Sequence, residues 1–174
     1  FEKIEKRAAT KAIKIISNKN DIWPLDISQD IICVNPTPKE YYNQIYNIRG
    51  IGPNQKKSAY NYFKDKIQEM IPKISFVEAK EINNSTQMLM KADTIILITE
   101  DYPLPGEDFP KKNQQTEIKK ILSEYGDKSI IFALRSPYEK DKFPENISYI
   151  STFSSKAYSA IELAKKVYYE SKNK

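Results

Sequence analysis

At 174 residues, with 40% hydrophobic and 29% charged side chains, the chain has the size of one globular domain that needs no disulfide or metal to fold, and none of its apolar runs approaches the ~20 residues of a membrane-crossing helix. Its formal charge of +5 is carried by lysines scattered among glutamates, with arginine only at Arg7, Arg49 and Arg135, a pattern of solvated mixed-charge surface rather than a nucleic-acid footprint. The lack of any histidine excludes Ser/His/Asp and Cys/His nucleophilic sites, and a single cysteine argues against zinc.

Residues 2–12 place Ile4, Ala8, Ala9 and Ala12 at helical spacing, and Ile13, Ile15 and Ile16 read as a short strand ended by the turn Asn18 to Asp21. After a loop around Trp23, Pro24 and Leu25, the run Ile31 to Val34 is wholly apolar, as in a strand covered by helices on both faces. Cys33 lies inside that run and is expected as a small buried hydrophobe. A tyrosine-rich helix from Glu40 to Tyr46, a break at Gly50, Gly52 and Pro53, and a longer helix to about Met70 lead to a strand at Ile74 to Val77.

The helix Ser85 to Ala92 is expected to turn Met88, Leu89 and Ala92 to one face, ahead of a buried strand from Thr94 to Ile98. A proline-rich loop from Tyr102 to Pro110 precedes the helix Thr116 to Tyr125, which Gly126 is expected to close at its C′ position. Strands at Ser129 to Leu134 and Ile147 to Ser151 and a helix from Ala157 to about Tyr169 complete the chain. This alternation predicts an α/β domain, a three-layer sandwich over residues 1–174 whose mostly parallel sheet of about five or six strands carries helices on both faces.

Ligands and partners of such sheets gather at the carboxyl ends of the strands. Those ends carry Asn35, then Glu100 and Asp101, then Arg135, Ser136 and Tyr138, and then Ser151 to Ser155. The apolar run before Asn35 leads into Pro36, Thr37 and Pro38, with no glycine to admit a phosphate, so no nucleotide cofactor is expected. The segment Ile48, Arg49, Gly50, Ile51, Gly52, Pro53 has a modest likeness to a helix-hairpin-helix element that offers amides to a DNA phosphate, with a plain glycine break between helices as the other reading. Between Glu100 and Asp108 lie four carboxylates, including Glu107, but all on one loop, whereas cleavage of a glycosidic bond needs two acidic groups facing each other across it.

The run Ser129 to Tyr138, with Arg135, Ser136, Pro137, Tyr138, then Phe143 and Pro144, then Tyr149 to Phe153, resembles the C-terminal domain of family 3 glycoside hydrolases. Ala8 and Ala9 through Trp23, Pro24 and Leu25 look like that family's entry helix, strand and turn, and Asp93 to Thr99 with Asn113 and Gln114 is similar to its central strand and following helix. The resemblance implies a sheet packed on an N-terminal (β/α)₈ barrel that carries the nucleophilic aspartate and most sugar contacts. It further implies that in the β-glucosidase branch the loop matching Glu100 to Asp108 supplies a glutamate acid/base, whereas the bacterial N-acetylglucosaminidase branch uses a histidine on the barrel.

The Asp-Arg pair that accompanies that glutamate is missing, and the other segments look closer to the N-acetylhexosaminidase branch, so no catalytic residue is assigned. Starting at Phe1 and ending near the family's Phe-Gly-Glu turn, the chain reads as a piece of a longer polypeptide, trimmed at its last edge. The expected role is an accessory domain of a bacterial β-N-acetylhexosaminidase that buttresses the barrel and helps wall the sugar cleft. Asn35, Glu100, Asp101, Glu107, Arg135, Ser136 and Tyr138 are the candidate interface, without metal, cofactor or membrane partner. A nucleic-acid module using Gly50, Ile51, Gly52 and Pro53, and a free-standing flavodoxin-like ligand or partner-binding domain, are the alternatives.

Overall fold

A computed structural model of the chain describes residues 2–46, 55–101 and 111–172. The turn from Gly50 to Pro53 and the whole Tyr102 to Pro110 loop, Glu107 included, lie outside the described residues.

Helix α1 (Glu2–Ala12) leads into strand β1 (Lys14–Ser17), and the buried run of the sequence becomes β2 (Ile31–Asn35), all five residues of which are buried. Helix α2 (Ala59–Met70), β3 (Ser75–Glu78), the short α3 (Thr86–Lys91), β4 (Thr94–Glu100), α4 (Lys111–Tyr125), β5 (Ser129–Leu134), β6 (Ser148–Ser151) and α5 (Ala157–Ser171) follow. The strands form one sheet in the order β1-β6-β5-β4-β2-β3, in which β2 to β6 run parallel and only β1 pairs antiparallel, with β6. The architecture is thus the expected α/β sandwich with a mostly parallel sheet and helices on both faces.

Period-two alternation along the buried strands divides the core in two. Cys33, Ile96, Ile98, Ile130, Phe132 and Ile150 face Tyr60, Phe63 and Ile67 of α2 and Leu163 and Val167 of α5. Their strand neighbours Ile32, Val34, Ile95, Leu97, Ile131 and Tyr149 face Leu89 of α3 and Ile118, Ile121 and Leu122 of α4. Because β4 and β5 are covered on both sides, every residue of each is buried. Phe132 sits edge-on to both Trp23 and Phe63, with ring centroids 6.4 and 5.8 Å away. At the amino ends of β5 and β6, Asn20 donates from Nδ2 to the carbonyls of Gly126 and Ser129 at 3.1 and 2.9 Å, and its Oδ1 accepts from the Ser148 amide at 3.0 Å.

Two local expectations, on Gly126 and Met88, are corrected, and two elements gain detail. The helix expected from Glu40 to Tyr46 is present as a 3₁₀ helix, Lys39–Tyr46, starting where the Tyr41 amide donates to the Pro38 carbonyl three residues back and turning Tyr42 into the core. Gly126 does not take a left-handed C′ conformation: it opens a 3₁₀ turn, Gly126–Lys128, that leads straight into β5. On α3, Leu89 and Ala92 are buried as expected, but Met88 is 44% exposed, because one and a half turns of helix present too narrow a face for all three. The expected short strand is present as β1, preceded by the buried Ile13; Ile15 and Ile16 are both more than 40% exposed, and the register with β6 slips between Ile15 and Ser17.

Candidate functional site

Among the parallel strands the order β3-β2-β4-β5-β6 reverses direction between β2 and β4, which makes the carboxyl ends of those two strands the topological switch point where doubly wound sheets open a crevice. Two of the residues singled out from the sequence, Asn35 and Glu100, end these strands, and both are fully buried. They are joined by a third group. The Tyr42 hydroxyl accepts from Asn35 Nδ2 at 2.8 Å and donates to Glu100 Oε2, so the 3₁₀ segment roofs the crevice with a hydroxyl held between an amide and a carboxylate. Asn35 Oδ1 accepts from the Thr37 amide at 3.1 Å, a local turn that bends the chain away from β2.

The other carboxylate oxygen of Glu100 accepts from the backbone amide of Tyr60 at 3.0 Å. Tyr60 is the second residue of α2, whose first-turn amides have no acceptor within the helix, and Ser58 Oγ accepts from Asn61 in the same turn at 3.0 Å. The negative group therefore sits against the positive end of the helix dipole, where doubly wound folds commonly seat a ligand phosphate. Here the protein's own side chain occupies that place. The amide and carbonyl of Glu100 are in turn held by Gln114 at 2.9 and 3.0 Å, fixing the strand end to α4.

Asp101, Arg135, Ser136 and Tyr138 of the expected set follow the ends of the neighbouring strands. Arg135 and Asp101 are brought together, Arg135 Nη1 donating to the Asp101 carbonyl at 2.8 Å. The Ser136 carbonyl accepts from the Tyr149 hydroxyl at 2.9 Å, and Ser136 Oγ accepts from the amide of Tyr138, whose side chain is 84% exposed. Burial pushes the Tyr149 hydroxyl above its ordinary pKa, with the nearby Glu139 carboxylate acting in the same direction, so it stays a proton donor. Burial likewise raises the Tyr60 hydroxyl and the Cys33 thiol.

Two residues at these ends have positive φ without being glycine: Arg135 at 152° and Phe153 at 56°. Such conformations cost a side-chain-bearing residue about 1–3 kcal/mol each and persist only where the surroundings hold them. The holding bonds are visible. Thr152 N donates to the Ala133 carbonyl at 3.0 Å, Thr152 Oγ1 to Ser154 O at 2.8 Å, and Ser151 Oγ stands 3.4 Å from the Arg135 carbonyl.

Beside the crevice, at the ends of β2 and β3, Thr37, Pro38, Lys39, Glu40, Glu78 and Lys80 line a cleft of about 320 Å³, where the Thr37 hydroxyl is buried without a hydrogen-bond partner. Among the described residues no group of three or more Cys, Asp and Glu is placed to hold a metal ion, and no helix is long and apolar enough to cross a membrane.

Sequence reasoning missed Tyr42, Tyr60 and Gln114, the partners of Glu100. A buried carboxylate requires partners, so a glutamate closing an apolar strand carried that signal; which residues answer it depends on contacts 14 to 58 positions away in sequence.

No family model and no curated protein matches the chain. Among solved structures, a fungal multi-domain family 3 β-N-acetylglucosaminidase aligns with 95% of this chain at a TM-score of 0.68 and 13% identity. A family 3 β-N-acetylglucosaminidase from a Paenibacillus species aligns with 95% at 0.63 and 11%, and a β-glucosidase from Listeria innocua in complex with glucose with 95% at 0.66 and 14%. The chain spans only 17%, 30% and 24% of those three chains respectively. Nearly the whole chain therefore shares its fold with one portion of much larger glycoside hydrolases.

Proposed function

We propose that this chain is the accessory second domain of a family 3 glycoside hydrolase of the β-N-acetylhexosaminidase type, packing by the carboxyl edge of its sheet on a catalytic (β/α)₈ barrel and helping to wall the sugar cleft. The observation that carries the reading is the likeness of 95% of the chain to a 17–30% portion of multi-domain family 3 enzymes, in a segment whose motifs resemble that family in order. Fold analogy alone does not assign a role. The chemistry of the edge supports an accessory one: Glu100, the strand-end carboxylate among the described residues at the switch point, has one oxygen on the α2 amino terminus and the other on the Tyr42 hydroxyl. A group held in this way orders the crevice rather than exchanging protons with a glycosidic oxygen.

The test is association. The reading frame encoding this chain is expected to encode a (β/α)₈ barrel, and the barrel and this chain, produced separately, should form a one-to-one complex in sedimentation velocity. A reading frame without a barrel, or a barrel that does not bind, overturns the proposal.

A further inference from the structure

We infer that the cleft at the ends of β2 and β3 binds a small molecule carrying an oxyanion, a carboxylate or a phosphate, through the Thr37 hydroxyl and the ammonium groups of Lys39 and Lys80. Asn35 and Glu78 pair in register as the last residues of these neighbouring strands, so both connections leave the sheet at one level. Each leads into a 3₁₀ helix, Lys39–Tyr46 after β2 and Ala79–Asn84 after β3. Residues from both connections line the cleft of about 320 Å³. That volume falls at the small end of ligand sites, which run from roughly 300 to 1,000 Å³, and suits a molecule the size of a metabolite.

Two independent features distinguish this cleft from a gap in packing. Thr37 lines it with only 1% of its surface exposed, and its hydroxyl has no hydrogen-bond partner, although its backbone amide is held on Asn35 Oδ1 at 3.1 Å. A buried hydroxyl left unpaired destabilises a fold, and a valine would fill the same shape without that penalty. The second feature is charge. Glu78 is already committed, its Oε1 accepting from the Tyr60 hydroxyl at 3.0 Å and from Lys64 Nζ at 2.5 Å. Lys39, Glu40 and Lys80 also line the cleft and form no ion pair with any described residue. Two free ammonium groups against one free carboxylate leave the cleft short of negative charge. A ligand oxyanion supplies it, and accepts from the Thr37 hydroxyl as well.

The experiment is a titration of the ¹⁵N-labelled chain, at low salt, with three molecules that share a pyranose ring: glucose 6-phosphate, glucuronate and glucose. Saturable amide shifts at 37–40 and 78–80 are expected with at least one of the two anions and not with glucose, and the anion that binds identifies the oxyanion as phosphate or carboxylate. Thr37→Val should weaken that binding about tenfold or more while its thermal midpoint equals or exceeds that of the parent chain, and Thr37→Ser should retain the affinity. Replacing Lys39 and Lys80 together by glutamine should abolish binding. No shifts with either anion, equal shifts with glucose, shifts confined to other residues, parental affinity in Thr37→Val or in the double lysine variant, or a lowered midpoint for Thr37→Val would each overturn the site. Its loss leaves the accessory-domain reading standing, and a chain that binds the anion without a barrel partner loses that reading alone.

Discussion

Glu100 shows how a residue at a suggestive position acquires its role from its partners. Removing the carboxylate in Glu100→Ala leaves the Tyr60 amide and the Tyr42 hydroxyl facing a buried gap, and each unsatisfied group costs about 1–3 kcal/mol. Urea denaturation should therefore show a loss of several kcal/mol, and Glu100→Gln a smaller one, since an amide oxygen still accepts a bond. A loss below about 0.5 kcal/mol for the alanine variant would mean that the crevice does not depend on this group.

At the same scale, the Cys33 thiol is raised by burial and should not react with a disulfide reagent at pH 8 until the chain is unfolded, when one equivalent appears. The raised folded pKa also fixes a sign: the thiol's contribution to stability is whole below about pH 8.5, the range of an unfolded cysteine, and declines as pH rises above it. Cys33 was legible because an apolar run on both sides leaves a thiol nowhere but the core. The setting of Glu100 was not, because a side chain's partners come from the tertiary fold.

Elements were legible where their burial was total. The strands β2, β4 and β5 stand out as apolar runs because both of their faces are covered; the edge strand β1 was legible too, from Ile13, Ile15 and Ile16, but its register slip and the exposure of two isoleucines were not. The segment Lys39–Tyr46 was legible as a helix but not as a 3₁₀ one, because tyrosine-rich periodicity does not distinguish a three-residue from a 3.6-residue turn over so short a span. Gly126 read as a helix terminator, but its backbone is not left-handed and a Cβ there would meet only Ile147 Cδ1 at 3.4 Å. Gly126→Ala should therefore be neutral or stabilise by up to about 1 kcal/mol, measured as a rise in thermal midpoint. By contrast, Phe132→Ala, which opens a cavity between Trp23 and Phe63, should cost about 3–5 kcal/mol in denaturant unfolding.

At the scale of the molecule, alternation of strands and helices announced the sandwich, but not the order β1-β6-β5-β4-β2-β3 or the reversal that makes Asn35 and Glu100 neighbours. That order is set by which crossover covers which face, and it leaves no local trace in sequence. Its consequence is that the place where such a sheet would seat a phosphate is filled from within, by a carboxylate held at the start of α2. The most direct measurement is turnover of a chromogenic N-acetyl-β-glucosaminide by this chain alone and with the parent barrel added. The account predicts background rate from the chain alone and clear hydrolysis once the barrel is present; hydrolysis by the chain alone that Glu100→Gln abolishes would contradict it.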